Sequence, residues 1–302
     1  MTLHTYALSR TRPSDFKLFR AIARVHLAAW LRVPLMATIM YRPELTGAAN
    51  RARYFNTDTE ALRNEDEVRF VVVLDDLLVP DELDEDEDED EAEGETRDDQ
   101  RPKGRVVAAI KYYVVPGTGA HPDAETQKEI DKQSATTSVA ADSTEAAIAD
   151  TTTSDGDGGT TSTKIPHMNH ELSSTFVASL VAARQEATRV IGTHVLVDNL
   201  YTDPAHHRRG AGKMLMRIAV QEADRLGLPC MLEASPMGLK LYESVGFEVV
   251  PGKDIWVDLL RWEHGGDKGE EFSETRLARA GGTRSVEDGW YVQMTMLRPA
   301  KS

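Results

Sequence analysis

The spacing of apolar residues along the chain predicts a succession of helices and strands. Apolar side chains recur every three or four positions over 14–30, 171–189 and 212–226, which predicts amphipathic helices, and Ser14 is expected to cap the first of them. A shorter helix is predicted over 237–244. Runs rich in β-branched and aromatic residues predict strands over 6–8, 67–74, 105–114, 193–202, 229–234, 247–250, 256–260 and 290–297.

This order of elements indicates an α/β fold. No helical pattern separates the predicted strands 67–74 and 105–114, so we expect a hairpin with an enlarged turn, and the later strands alternate with helices. A mostly antiparallel central sheet with helices on both faces follows from this order. We expect one domain over 1–302.

Two stretches between these elements hold too few apolar residues to fold on their own. Residues 80–104 surround an acidic tract, and Thr, Ser, Ala, Asp and Gly dominate 116–165, so we expect disordered insertions at both places. A third polar segment, 265–287, carries glycine pairs at both ends and is predicted to be a long loop.

The acidic tract accounts for most of the net charge. Twelve residues of 81–95 are Asp or Glu, and they leave only −3 of the net charge of −15 for the rest of the chain. Docking of this tract onto a basic partner, such as a histone tail, is one use for it. The single cysteine, Cys230, fits a reducing compartment, and the lack of long apolar runs argues against membrane association. We expect a cytoplasmic protein, or a nuclear one.

The segment 200–213 (LYTDPAHHRRGAGK) has the pattern of an anion-binding site. A predicted strand ends near Thr202, and a loop with Gly210 and Gly212 then opens directly into a helix. Free backbone N–H groups and the positive end of the helix dipole favour an anion there, and Arg208, Arg209 and Lys213 add positive charge.

Spacing separates the phosphate-binding motifs that compete for this loop. The nucleotide P-loop requires Gly and Ser or Thr where His207 and Met214 stand, and the dinucleotide fingerprint requires Gly where Leu215 stands. The loop His207-Arg208-Arg209-Gly210-Ala211-Gly212 instead resembles the Gln/Arg-x-x-Gly-x-Gly/Ala motif of the GCN5-related N-acetyltransferase (GNAT) superfamily, and departs from it at the first position. Downstream, Leu232-Glu233-Ala234-Ser235 and then Leu241-Tyr242-Glu243-Ser244-Val245-Gly246-Phe247 resemble the second motif of that superfamily. The resemblance covers about 193–250.

This resemblance implies an enzyme that transfers an acetyl group from acetyl-CoA, as co-substrate, to a primary amine of a small molecule or protein, with no metal. The backbone of Leu200, Tyr201 and Thr202 would pair with the pantetheine arm, and residues from His207 to Lys213, Ala211 included, would hold the pyrophosphate. Ser235 would bond the cofactor or cap the next helix. Tyr242 would return a proton to the departing thiolate.

The general base is less well defined by the sequence. Asp198 lies two residues before Leu200 and is the first choice, and Glu233 on the adjacent strand is the second. Either could act through a chain of water molecules.

Two other functions compete with acetyl transfer. A catalytically inactive acyl-CoA-binding sensor or scaffold would also use this loop, and the change to His207 is compatible with it. Nucleic-acid binding through Arg208 and Arg209 is disfavoured, because no further basic stripe is present.

Overall fold

The computed structural model of the chain describes residues 2–79, 103–117, 151–153, 161–163 and 165–301. In these ranges the helices are α1 (Pro13–Trp30), α2 (Pro34–Ile39), α3 (Pro43–Asn64), α4 (His170–Ile191), α5 (Ala211–Leu226), α6 (Leu239–Glu243) and α7 (Glu270–Arg279). The strands are β1 (Leu3–Ala7), β2 (Val68–Asp75), β3 (Arg105–Val115), β4 (Thr151–Thr153), β5 (Thr161–Thr163), β6 (His194–Thr202), β7 (Cys230–Ala234), β8 (Glu248–Val249), β9 (Ile255–Asp258) and β10 (Trp290–Arg298). Short 3-10 turns cover Pro204–His206 and Leu259–Gly265.

Eight of the described strands form one mixed sheet. Its order is β1-β2-β3-β6-β7-β10-β8, with β9 also pairing with β10. Neighbouring strands run antiparallel except β6 and β7, which run parallel. The predicted α/β fold with a mostly antiparallel sheet is confirmed, and so is the hairpin of β2 and β3.

Helices cover both faces of this sheet, and β2 is therefore apolar at successive positions. Val71 and Val73 belong to the apolar cluster that includes α5, whereas Phe70 and Val72 belong to the cluster that includes α1. A strand buried on both faces shows a continuous apolar run instead of alternation. The sequence FVVVL in β2 has this character.

The predicted cap of α1 is wrong. Pro13 is the first helical residue and Arg12 occupies the cap position, so Ser14 lies inside the first turn and is buried. Proline is favoured at the first helical position because its missing N–H would have no partner there.

Two helices between α1 and β2 were not predicted. Helix α2 is only six residues long. Helix α3 buries a polar face that includes Thr46, Asn50, Arg53 and Asp58, so its sequence lacks an apolar stripe. A search for hydrophobic periodicity misses such a helix.

The predicted polar loop at 265–287 is also wrong, because α7 lies within it. Glu270 and Glu271 occupy the first turn of α7, and Arg276 and Arg279 occupy the last, which matches the helix dipole. Ser273 donates a hydrogen bond to Asp258 at 2.9 Å, and Arg276 forms an ion pair with the same carboxylate. These polar contacts stabilise a helix that has no buried residues among those described.

The predicted disordered insertions at 80–104 and 116–165 fall largely outside the described residues. Within the second, Thr151–Thr153 pairs antiparallel with Thr161–Thr163. In the described ranges, no helix has the length and apolar character needed to cross a lipid bilayer.

Candidate active site

A cleft opens where β6 and β7 separate. The described parallel pairing joins Val195, Leu196 and Val197 of β6 to Cys230, Met231 and Leu232 of β7, while β6 continues to Thr202. Beyond Val197, β6 stays paired with β3 on its other edge. The resulting cleft has a volume of about 480 Å³.

A β-bulge places Asp198 at the point of separation. The register between β3 and β6 shifts so that Lys111 opposes Asn199 while Tyr112 opposes Val197. Asp198 therefore has no opposite residue in β3. A bulge re-aims a side chain and bends its strand, which suits the start of a cleft.

The turn after β6 is fixed by Asp203. Its carboxylate accepts the Ala205 N–H at 2.9 Å and an Arg24 N–H at 2.8 Å. Arg24, on α1, also donates to the carbonyl of Val106 at 2.9 Å. The loop between β6 and α5 is thus anchored to α1 and β3.

Glycine is required where this loop enters α5. Gly210 has φ of +91°, in the left-handed region, and Arg208 has φ of +63°. A Cβ on Gly212 would lie 3.2 Å from the Leu241 side chain. The first N–H groups of α5 have no acceptor within the helix, so they can bind an anion in the cleft.

The basic side chains of the loop separate into two groups. Arg208 and Lys213 line the cleft. Arg209 instead contacts the Asp75 carboxylate at 2.6 Å and the His206 ring at 3.0 Å. Arg209 is therefore engaged by β2 and by its own loop.

His207 closes the loop onto the end of β6. Its Nε2 lies 3.0 Å from the carbonyl oxygen of Thr202. The imidazole therefore contributes a local hydrogen bond at the position where the sequence departs from the expected motif.

Tyr242 lies on α6 at the cleft wall. Its ring packs beside Phe247, with ring centroids 6.3 Å apart, and close to Gly238. The surrounding protein raises the pKa of Tyr242 to about 12 by burial, so the hydroxyl keeps its proton at neutral pH.

Ser235 lines the cleft at the end of β7. Its backbone carbonyl accepts the Gly238 N–H at 3.0 Å. Gly238 occupies the N-cap position of α6, three residues after Ser235, and both roles suggested for Ser235 stay predictions.

An ion-pair cluster lies where β6 and β7 diverge. Arg184, on α4, donates to both carboxylate oxygens of Glu233, at 3.0 and 2.9 Å, and to Asp198 at 2.9 Å. Lys111 Nζ lies 3.5 Å from Asp198 and 4.0 Å from Asp58. Burial alone would lower the pKa of Arg184, but Glu233 and Asp198 hold it well above its usual range.

A buried aromatic stack supports β6 behind the cleft. The ring of His26 lies between Tyr201 and Tyr54, with centroid distances of 4.4 and 4.2 Å. Burial, and then the charge of Arg53, lowers the pKa of His26 to about 3, so its ring is neutral. The Tyr201 side chain is buried in this stack, which leaves its backbone for the cleft.

Comparison with known proteins finds a similarity over part of the chain. Residues 172–249 match the family model described as an acetyltransferase (GNAT) domain. This stretch of the chain is similar to a GNAT acetyltransferase domain. The matched residues run from α4 to β8 and include the candidate anion-binding loop and Tyr242.

Solved structures of N-acetyltransferases also match, at low sequence identity. A mosquito arylalkylamine N-acetyltransferase-like 5b matches with 11% identity over 98% of this chain and 99% of that chain, with a TM-score of 0.49. The polyamine N-acetyltransferase of Drosophila melanogaster matches with 13% identity over 97% and 99%, with a TM-score of 0.45. A PaiA N-acetyltransferase from Thermoplasma acidophilum, in complex with coenzyme A, matches with 11% identity over 99% of each chain, with a TM-score of 0.39. No curated protein sequence matches the chain.

The cleft brings together the site residues that the sequence suggests, except Arg209. These lining residues are Asp198, Leu200, Tyr201, Thr202, His207, Arg208, Gly210, Ala211, Gly212, Lys213, Glu233, Ser235 and Tyr242. Their roles stay predictions. Across the described ranges, no group of three or more His, Cys, Asp or Glu residues is arranged to hold a metal ion.

Sequence reasoning missed Arg184 and Lys111. Each is a lone basic residue on an otherwise apolar surface, Arg184 following Phe176 and Leu180 on α4 and Lys111 within the apolar run of β3. A buried basic residue requires a counter-charge nearby. The isolated basic residue is therefore a signal that the sequence does contain. The partners come from other elements, so the sequence alone does not identify them.

Proposed function

We propose that the chain is an N-acetyltransferase that moves an acetyl group from acetyl-CoA to a primary amine. The observation that carries this proposal is the shared cleft. It joins the N-terminus of α5, the β6 edge that lacks β7, and the hydroxyl-bearing Tyr242.

The residues of the cleft fit acyl-CoA in shape and charge. Gly212 leaves space that a side chain would fill, the α5 N-terminus offers N–H groups, and Arg208 and Lys213 offer positive charge for the pyrophosphate. The backbone of Leu200, Tyr201 and Thr202 offers an edge for the pantetheine arm, and Ser235 offers a hydroxyl.

The chain's own groups then account for the proton transfers. Acetyl-CoA, when bound, supplies an activated thioester carbonyl for direct attack by the amine. The N–H groups on the exposed edge of β6 would stabilise negative charge on the carbonyl oxygen. Tyr242 would protonate the departing thiolate, since its raised pKa keeps it protonated at neutral pH.

The ion pairs around Arg184 change the proposal for the base. Asp198 and Glu233 are each engaged by the Arg184 guanidinium at 2.9 Å, and we assign neither as the direct base. We propose that the amine proton leaves through water in the cleft. Asp198 and Glu233 would stabilise the positive charge as it passes, which is the water-mediated form of the role that the sequence suggests.

Cys230 supports direct transfer without a covalent enzyme intermediate. It is the single cysteine of the chain and is fully buried in β7. Burial raises the pKa of its thiol to about 12, so the nucleophilic thiolate is scarce at neutral pH.

Calorimetry with acetyl-CoA tests the binding half of this proposal. We expect Gly210→Glu to weaken binding by at least about tenfold, because it adds a side chain and a negative charge at the anion site. Gly227→Glu is the matched control, because Gly227 ends the same helix with φ of +65°. Equal binding by both variants would contradict the assigned loop.

Thiol release with a panel of amines tests the catalytic half. Release that depends on an amine supports the enzyme. The ion-paired state of both carboxylates keeps the sensor or scaffold alternative open, and acetyl-CoA binding without release for any amine would favour it.

A further inference from the structure

The end of the cleft away from the anion-binding loop is walled by apolar side chains. Helices α1, α2 and α4, the α1–α2 connection and strand β10 contribute Trp30, Val33, Met36, Phe176, Leu180 and Tyr291. Met36, Phe176, Leu180 and Tyr291 are at most 8% exposed. An acceptor here would exchange water for an apolar and aromatic surface.

The carboxylates at this end are already held in ion pairs. In the described part of the chain, the acidic residues that line the cleft are Asp198 and Glu233, whose side chains are 1% and 3% exposed. Arg184 pairs with both of them, and Lys111, which does not line the cleft, pairs with Asp198 from behind. Asp58 is a third carboxylate, but it lies behind Lys111 and does not line the cleft.

Gln293, another polar residue that lines the cleft, is also engaged. Its amide N–H donates to the carbonyl of Glu233 at 2.8 Å, and its amide oxygen accepts from the Tyr291 hydroxyl. A second positive charge on an acceptor would therefore lose its hydration without gaining a counter-ion. A single amine with an apolar body would lose much less.

We propose that the acceptor is a primary monoamine with an aromatic or bulky apolar body, and that the cleft discriminates against diamines, polyamines and guanidino amines. This inference rests on the proposed acetyl transfer. The apolar wall also helps the reaction, because desolvation lowers the pKa of a bound ammonium and so favours the nucleophilic neutral amine.

Matched amines separate the effect of a second charge from the effect of an apolar body. n-Hexylamine and 1,6-diaminohexane have the same length and differ in the second charge, and 2-phenylethylamine differs from ethylamine by its ring. We expect kcat/KM to favour n-hexylamine over the diamine, per amino group, and 2-phenylethylamine over ethylamine, each by at least about tenfold. Equal or reversed ratios would overturn this inference while acetyl transfer still stood. No release with any amine would overturn the proposed function as well.

A charge placed in the wall tests the cause of the selectivity. Val33→Glu adds a carboxylate to the partly exposed rim of the cleft, and we expect the ratio of kcat/KM for the diamine over n-hexylamine to rise by at least about fivefold. Ala37→Glu adds the same charge to the exposed side of α2, outside the cleft, and should leave the ratio unchanged. The same ratio in both variants would contradict the argument that a second positive charge finds no unpaired counter-ion in the cleft.

Discussion

The ring of Tyr242 lies against Gly238, where an added methyl group would have no room. A Cβ on Gly238 would sit 2.5 Å from Cε2 of the ring and 3.1 Å from its hydroxyl oxygen. The backbone of Gly238 is right-handed helical, with φ of −85°, so alanine fits the backbone itself. The clash therefore falls on the side chain to which we assign the proton transfer.

Gly238→Ala should therefore lower kcat more than it weakens acetyl-CoA binding. We expect a fall in kcat of at least about tenfold, because a displaced acid loses part of the 10²- to 10⁴-fold that such a group contributes. Tyr242→Phe should lower kcat further. Gly47→Ala, whose Cβ makes only ordinary contacts at 3.7 Å, serves as the control in steady-state assays. Unchanged kcat in both Gly238→Ala and Tyr242→Phe would remove Tyr242 from the mechanism.

The inner face of helix α3 carries polar residues. This explains why the sequence pattern did not predict the helix, and it makes the stability of the fold depend on buried ionisable groups. Asp58, on that face, is 7% exposed and lies 4.0 Å from Lys111. Burial raises the pKa of Asp58 to about 7, although the charge of Lys111 opposes the shift. The folded protein therefore binds a proton that the unfolded chain releases near pH 4.

Asp58→Asn should change how stability depends on pH. The contribution of Asp58 is fully present below about pH 4, falls by up to about 1.4 kcal/mol per pH unit as the pH rises, and is lost above about pH 7. Relative to the asparagine variant, wild type should thus become less stable between about pH 4 and 7 in urea titrations. Glu60→Gln, at an exposed position of α3, is the control. A constant difference between wild type and Asp58→Asn would contradict the buried titration.

The difference between local patterns and contacts distant in sequence explains how much could be predicted from the sequence. Helix α5 and its loop were predictable because an apolar stripe and two glycines encode them locally. The contacts of Arg184 were not, since they join α4 to β6 and β7 across 14 and 49 residues of sequence. Likewise, α7 depends on Asp258, which is remote from it in the chain. Local patterns predicted the elements with apolar faces and the glycine-containing loop, whereas the polar helices α3 and α7 and the ion pairs depend on tertiary structure.

At the scale of the whole molecule, the β2–β3 hairpin holds together across a long interval of sequence. Asp75 pairs with Arg105, and the register continues to Val68 and Tyr113 with one irregularity. Both strands are almost entirely buried. The free energy of this pairing resides in the strands, because the entropy cost of closing a loop grows only slowly with its length.

Deletion of 81–95 should therefore leave a single cooperative melt. We expect the midpoint of urea unfolding to change little, and acetyl-CoA binding to persist. A chain in which 81–95 keeps its length but carries Gly and Ser separates the effect of charge from that of length. Loss of the cooperative transition in the deletion alone would show that the tract is part of the folded domain.

The separation of β6 from β7 gives the sheet a seam. On one side lie β1, β2, β3 and β6, and on the other lie β7, β10 and β8, with three described residue pairs of main chain between them. Where those pairs end, Arg184 holds Asp198 of one half and Glu233 of the other. One guanidinium group therefore bridges the two halves at the point where the gap begins. We expect the aperture of the cleft to depend on this one side chain, because a substitution there would remove the bridge without touching the register of any strand.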